Sequence, residues 1–319
     1  MGAQFSHATL YNYCHELYRQ KIAELSADKL HPAIARSPAN KLFYWYPATT
    51  SPLLNLCPSS DTLSSKGWFP GFVNSPFILW YRKDQSVQCI PVDLKSGQMI
   101  KNNSLNTDYP FSFKWVRRVS QSQHKSDTPI YVCADPVIAA LMIDRGELAV
   151  AMGGDFLPHA HEKHLASLNR PLIYLGTKSK KDAPAKFVTT MHRYNCEAHV
   201  TLVDDLHELL TQPDVNFTEV LQQAKTNGDH YVINRIANKR RVSNGLTVAE
   251  EYSQLLSDAP HDVQCRYKAL IDGLGLKLEN VNYANGCELF ASLLRANMKI
   301  SDARDVVTER YGIKINISS

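Results

Sequence analysis

The sequence has no Cys-x-x-Cys pair. Its seven cysteines stand at 14, 57, 89, 133, 196, 265 and 287. The odd number and irregular spacing argue against a zinc ribbon and a disulfide framework, and fit a reducing compartment. No apolar run approaches the roughly 18 residues that a transmembrane helix needs. The opening residues, MGAQFSHATLYNY, lack a basic segment followed by an apolar one, so a secretory leader is not expected. These absences predict a cytoplasmic protein without a membrane partner. Two motifs are also missing. The stretch Gly176–Thr177–Lys178–Ser179–Lys180 lacks the first glycine of a phosphate-binding Gly-x4-Gly-Lys-Ser/Thr loop, which removes a nucleotidase reading. No Gly-x-Ser-x-Gly nucleophile elbow occurs.

What is present is an ordinary globular composition, 44% hydrophobic and 21% charged over 319 residues. That length is enough for two or three domains with real cores. Net charge is only +4, but it is unevenly spread. Residues 1–125 carry 14 Lys/Arg against 7 Asp/Glu, residues 126–212 carry 8 against 11, and residues 213–319 carry 13 of each. The positive surplus belongs to the N-terminal third, which makes that part a candidate polyanion surface.

The spacing of apolar residues predicts a helix over 8–27, with Leu10, Tyr13, Leu17, Ile22 and Leu25 on one face. From residue 41 the pattern turns to short β runs. Phe43–Tyr46 reads as a strand. Phe77–Tyr81 and Val87–Val92, joined through Lys83, Asp84 and Gln85, read as a hairpin. Phe111–Val119 reads as one more strand, and 121–127 as a polar linker. From residue 128 strands and helices alternate: Ile130–Cys133, a helix opened by Asp135 and Pro136, Leu148–Met152, a helix over 158–168, Leu172–Leu175, a helix over 184–194, and Ala198–Val203. Asp135 is suited to cap free N–H groups and Pro136 to the first helical position. Such alternation predicts βαβ units and a parallel sheet. After Asp204 the strands stop and helices follow at 206–210, 217–225, 248–256, 263–274, 287–296 and 301–311. The expected division is an N-terminal helical segment (1–40), a basic β-rich module (41–125), an α/β domain (128–212) and an α-helical region (213–319).

In an α/β sheet, ligands meet the carboxyl ends of the strands. Here those ends carry Ala134–Asp135, Gly153–Gly154–Asp155, Gly176–Thr177–Lys178 and Asp204–Asp205. The order of elements resembles the TOPRIM domain of bacterial-type DNA primases and primase-helicases. The resemblance rests on Ile130–Ala139, on Gly146, Ala149–Ala151 and Gly153, and on Asp204–Leu210, and covers about residues 128–212. It implies a TOPRIM-like parallel sheet with flanking helices, preceded by a β-rich, template-guiding module and followed by helices. The departures are specific. The family's metal-holding Glu falls on Ala134, its helix Asp on Ile138, and its Asp-x-Asp pair on Gly176 and Lys178. Magnesium demands oxygen ligands, so the expectation is a frame that has lost its metal site. Lys178, Lys180 and Lys181 would then supply fixed ammonium groups to phosphates without a metal.

The resemblance thus implies a primase-like, catalytically inactive protein without a cofactor. Its expected partner is nucleic acid, single-stranded DNA above all, with a replicative helicase or polymerase as a further candidate. Plasmid, phage or other mobile-element DNA replication is the expected setting. The nucleic-acid-binding candidates are Lys178, Lys180, Lys181, Arg82, Lys83, Lys114, Arg117, Arg118, Arg240 and Arg241. The last two belong to a basic cluster with Arg235 and Lys239. Trp45, Trp68, Trp80 and Trp115 lie among the N-terminal cations, as bases that stack and phosphates that pair would require; a β-sheet core uses the same residues. Two alternatives stand. One is an active primase or nuclease whose Mg²⁺ is held by displaced carboxylates at Asp135, Asp155, Asp182 and Asp204. The other is a pure protein-interaction module built on the C-terminal helices. His159, His161 and His164 raise a zinc site, for which helical spacing puts only the last two on one face.

Overall fold

The computed structural model describes residues 7–25, 30–31, 34, 43–45, 76–81, 87–99, 108–122, 127–179, 182–212, 215–238, 248–274 and 278–311. They form two compact units, Met1–Thr226 and Asn227–Ser319.

The first unit opens with helix α1 (His7–Glu24). Three strands follow, β1 (Phe43–Trp45), β2 (Pro76–Tyr81) and β3 (Val87–Pro91), in an antiparallel sheet ordered β1-β2-β3. Tyr81 pairs with Val87 and Phe77 with Pro91, the register of the expected hairpin. Its turn, with Arg82 and Lys83, lies outside the described residues. Phe43, Ile78, Trp80 and Ile90 are buried and join Tyr131, Cys133, Ile173 and Leu175 in one apolar core. The small sheet therefore shares its core with the α/β layer that follows.

The expected strand over 111–119 is a helix, α2 (Phe113–Ser122). Only Phe111 pairs as a strand residue, in one antiparallel bridge to Ala151. Ser112 then turns the chain at φ 61°, with its Oγ 2.6 Å from the carbonyl oxygens of Phe111 and Ala149. The apolar residues that suggested a strand, Phe113 and Val116, are three apart and both buried, while Lys114, Trp115, Arg117 and Arg118 are exposed. A spacing of three is the helical period, and it outweighs the β-branched and aromatic content.

The α/β layer follows expectation closely. Strands β4 (Ile130–Cys133), β5 (Ala149–Ala151), β6 (Leu172–Thr177) and β7 (Ala198–Val203) alternate with helices α3 (Pro136–Asp144), α4 (His159–Ala166) and α5 (Asp182–Arg193). Pairing is parallel throughout β5-β4-β6-β7. Strands covered on both faces need unbroken apolar runs, and Ile130–Cys133 and Leu172–Leu175 are buried at every position. Helix α3 packs on β4 and β5, and α5 on β6 and β7. Residues 136–142 are all buried, which is why that helix is apolar all round.

Helices α6 (Leu206–Thr211) and α7 (Phe217–Gln223) come next. The strands do not stop at Asp204. A fifth strand, β8 (Lys225–Asn227), extends the sheet beside β7. Its three polar residues carry no apolar alternation, so backbone pairing alone makes it a strand. The second unit is helical: α8 (Gly228–Ala237), α9 (Val248–Ser257), α10 (His261–Gly273), α11 (Leu278–Arg295) and α12 (Ile300–Tyr311). Its core includes Tyr252, Val263, Tyr267 and Ile271, and α11 and α12 close on Phe290, Ala303 and Val307.

Candidate nucleic-acid interface

Asp135 lies two residues past β4 and caps α3. The Val137 N–H donates to its Oδ1 at 2.8 Å, as the sequence Asp-Pro predicts. The cap also desolvates the carboxyl, and burial pushes its pKa up to about 6 against the hydrogen bonds from the Val137 and Met99 N–H groups. Its other oxygen lies 3.9 Å from Nε2 of His207, in the first turn of α6. Asp205 caps α6 through the N–H groups of His207 and Glu208 at 2.8 and 3.1 Å.

His207 brings in a residue that no local pattern announces. The ring of His31 meets it edge-on, centroids 5.6 Å apart. The His31 N–H donates to the Leu94 carbonyl at 2.6 Å. Gly97 sits against the His31 ring at φ +65°, and a Cβ there would come within 2.7 Å of the ring. Glycine is required on both counts. Burial lowers the pKa of both imidazoles, and the neighbouring His31 lowers that of His207 further. Asp135, His207 and His31 thus gather at one corner of the sheet's carboxyl edge.

Just past β6 the Lys178 ammonium reaches across to the carboxylate of Asp204, the residue after β7, 2.9 Å away. Both side chains are well exposed, 61% and 85%, so the pair contributes at most about 1 kcal/mol. Its significance is positional: a cation of the chain itself bridges two strand ends. Lys180 and Lys181 lie outside the described residues. Asp155 follows β5, where its carbonyl accepts from the Tyr174 hydroxyl at 3.4 Å, and Asp182 begins α5. Among the described residues no three His, Cys, Asp or Glu side chains are placed to hold a metal ion. Ala134, Ile138, Gly176 and Lys178, on which the resemblance sets the metal-holding carboxylates, offer no side-chain carboxylate to Mg²⁺, which takes oxygen ligands.

The second group of candidates lies elsewhere. Lys114, Trp115, Arg117 and Arg118 share the solvent face of α2, with Trp115 39% exposed. The Lys114 ammonium stands 5.6 Å from the centroid of the Tyr109 ring. Beneath the helix, Tyr109 and Phe113 pack on His164, with centroids 4.3 and 5.1 Å away. The far end of α2 is held by Arg170, whose guanidinium donates to the Ser120 carbonyl at 2.8 Å and the Thr128 carbonyl at 3.3 Å. Arg170 precedes β6, so α2 ends by the amino edge of the sheet, opposite Lys178. Among the described residues, the expected binding side chains therefore fall into two separate places.

The other signals resolve into packing. Trp45 and Trp80 are core residues; the Trp80 indole N–H donates to the Tyr109 carbonyl at 2.7 Å. Trp68, Lys239, Arg240 and Arg241 are outside the described residues. The three histidines of α4 diverge. His159 pairs with Glu162 at the surface, His161 is fully buried near Trp80, and His164 lies against Tyr109. No described helix is long and apolar enough to cross a membrane.

No protein-family model matches the sequence, and no curated protein does. Solved structures do. A DNA primase domain from Pseudomonas aeruginosa superposes with a TM-score of 0.55 at 13% identity, covering 85% of this chain and 97% of that one. The RNA polymerase domain of Mycobacterium tuberculosis primase DnaG gives 0.56 at 14% identity, over 86% and 100%. The same domain in complex with a double-stranded DNA oligomer bearing a 6-nucleotide overhang gives 0.54 at 14%, over 86% and 98%. The chain has the fold of a primase RNA polymerase domain.

Proposed function

We propose that this is a primase-like protein with a degenerate TOPRIM domain, which binds single-stranded DNA or a primer–template and makes no primer. The observation that carries the binding is the face of α2, where Lys114, Trp115, Arg117 and Arg118 are exposed together on a helix anchored by Phe113 and Val116. Cations beside an aromatic surface suit a strand whose phosphates pair and whose bases stack. The observation that carries the loss of chemistry is the Lys178–Asp204 pair, which sets an ammonium at strand ends where the primase pattern has carboxylates. One of the domains sharing this fold was solved with DNA, which supports the same reading. Replication of a plasmid, phage or other mobile element, with a helicase or polymerase as partner, is the setting we favour.

Binding of a fluorescein-labelled oligo(dT) measured across salt concentrations tests the interface. Affinity is expected to fall linearly in log–log form, by about 0.7 per phosphate contact. The triple variant K114A/R117A/R118A is expected to lower that slope by about 2. No binding at low salt would leave the helical unit as a protein-docking module instead. Templated primer synthesis with Mg²⁺ would overturn the non-catalytic part.

A further inference from the structure

Phe156 is 54% exposed, the most exposed of the large hydrophobic side chains among the described residues. A lone surface phenyl is commonplace, but this one is placed and accompanied. It follows Gly153–Gly154–Asp155 at the carboxyl end of β5, the edge at which α/β sheets take ligands. The ammonium of Lys186, on α5, stands 5.3 Å from the centre of its ring.

The loop carrying Phe156 is pinned to two neighbouring strands. The Met152 and Gly153 N–H groups donate to the carbonyls of Cys133 and Ala134 at 2.9 and 3.0 Å. The Tyr174 hydroxyl reaches the Asp155 carbonyl. Tyr174 can lie along its strand that way because residue 176 is glycine: a Cβ on Gly176 would come 2.6 Å from the tyrosine ring. The bare side of β6 thus serves a tyrosine that holds the residue next to Phe156. A ring fixed on rigid supports stacks with little loss of conformational entropy.

The position of α2 adds a second observation. The Phe111–Ala151 bridge and the contact of Ser112 Oγ with the Ala149 carbonyl set the start of α2 beside β5. Phe156 lies five residues past Ala151, beyond the carboxyl end of that strand. From residue 149 to residue 156 the chain spans at most about 25 Å. One edge strand therefore has a cationic, tryptophan-bearing helix starting along its flank and a phenyl–ammonium pair beyond its carboxyl end.

We propose that Phe156 and Lys186 form a stacking site for one base of a single-stranded nucleic acid whose neighbouring phosphates run past β5 to the cations of α2. This rests on the nucleic-acid-binding reading above and assigns that strand its path. The phenyl receives the base; the ammonium meets the adjoining phosphate.

Two probes of equal length separate the contributions: oligo(dT), and an abasic oligonucleotide that keeps the phosphates and lacks the bases. F156A is expected to weaken oligo(dT) binding about 5- to 100-fold, the range of one stacked base, while leaving the salt slope and the abasic probe unchanged. F156W, which restores an aromatic face, is expected to bind oligo(dT) as the parent does, and so separates stacking from a folding defect. K186Q is expected to lower the salt slope by about 0.7. If the parent binds oligo(dT) with a steep salt slope and F156A binds equally well, the stacking site is wrong and the wider function stands. If the parent binds neither probe at low salt, both fall.

Discussion

Asp135 shows how one residue's local task sets its chemistry. Capping α3 holds the carboxyl at a desolvated position, and its pKa rises from the usual 3.8 to about 6. Between those values the folded protein binds more protons than the unfolded chain. The contribution of this carboxyl to stability therefore falls as pH rises from about 4 to 6 and stays lower above that window. The displacement corresponds to a cost of about 3 kcal/mol at most. An asparagine in its place would keep the cap, since the amide and the carboxylate serve equally there. Asp135→Asn is expected to be more stable than the parent at pH 7.5, with the difference gone by pH 4, as read by urea unfolding at a series of pH values. A parent more stable at pH 7.5 would mean that the carboxylate has a charged partner worth more than its desolvation. The neighbouring His207 and His31 were not legible as its companions, because the rings meet only after the sheet and the N-terminal segment have come together.

At the scale of elements, α2 divides sharply between a face that holds the fold and a face that does not. Arg170 is buried and donates to two carbonyls at the end of the helix. Arg170→Ala leaves both acceptors without that donor and is expected to cost about 2–3 kcal/mol in denaturant unfolding. Arg117→Ala, on the exposed face, is expected to stay within about 0.5 kcal/mol. Equal losses would mean that the cationic face serves the fold and is not an interface. The helix at 113–122, where the sequence suggests a strand over 111–119, has a definite cause. Phe111 does pair with β5, but the positive φ of Ser112 ends that pairing after one residue, and a single turn residue that is not glycine leaves no mark in the sequence. Strand β8 was missed for the opposite reason: Lys225–Asn227 has no apolar face to reveal it.

At the scale of the whole molecule, burial is concentrated in the first unit. Strands β4, β6 and β7 are interior to their sheet and almost wholly buried, whereas α11 and α12 share a small core of Phe290, Ala303 and Val307. Amide exchange follows local opening, which is rarest where apolar contacts are densest. The slowest-exchanging amides are expected in β4, β6 and β7, with α11 and α12 exchanging markedly faster by mass spectrometry. Comparable protection in both units would show that the helices are held by more than their own core.

The sequence by itself determined the parallel layer and its punctuation. Strands covered on both faces must be continuously apolar, and a helix that starts at Asp-Pro carries its own cap, so Ile130–Cys133, Asp135–Pro136 and Leu172–Leu175 could be read in place. The resemblance to the primase domain set its metal-holding carboxylates on Ala134, Ile138, Gly176 and Lys178, none of which is acidic. Only the tertiary structure decided where the charges went. Lys178 meets Asp204, the cations of α2 take its exposed face, and Phe156 stands beside Lys186. Each of these depends on contacts between residues distant along the chain, and the energies of exposed charges and rings are too small to impose a local pattern. Backbone pairing and core packing set those positions first, and the surface groups take the places left to them.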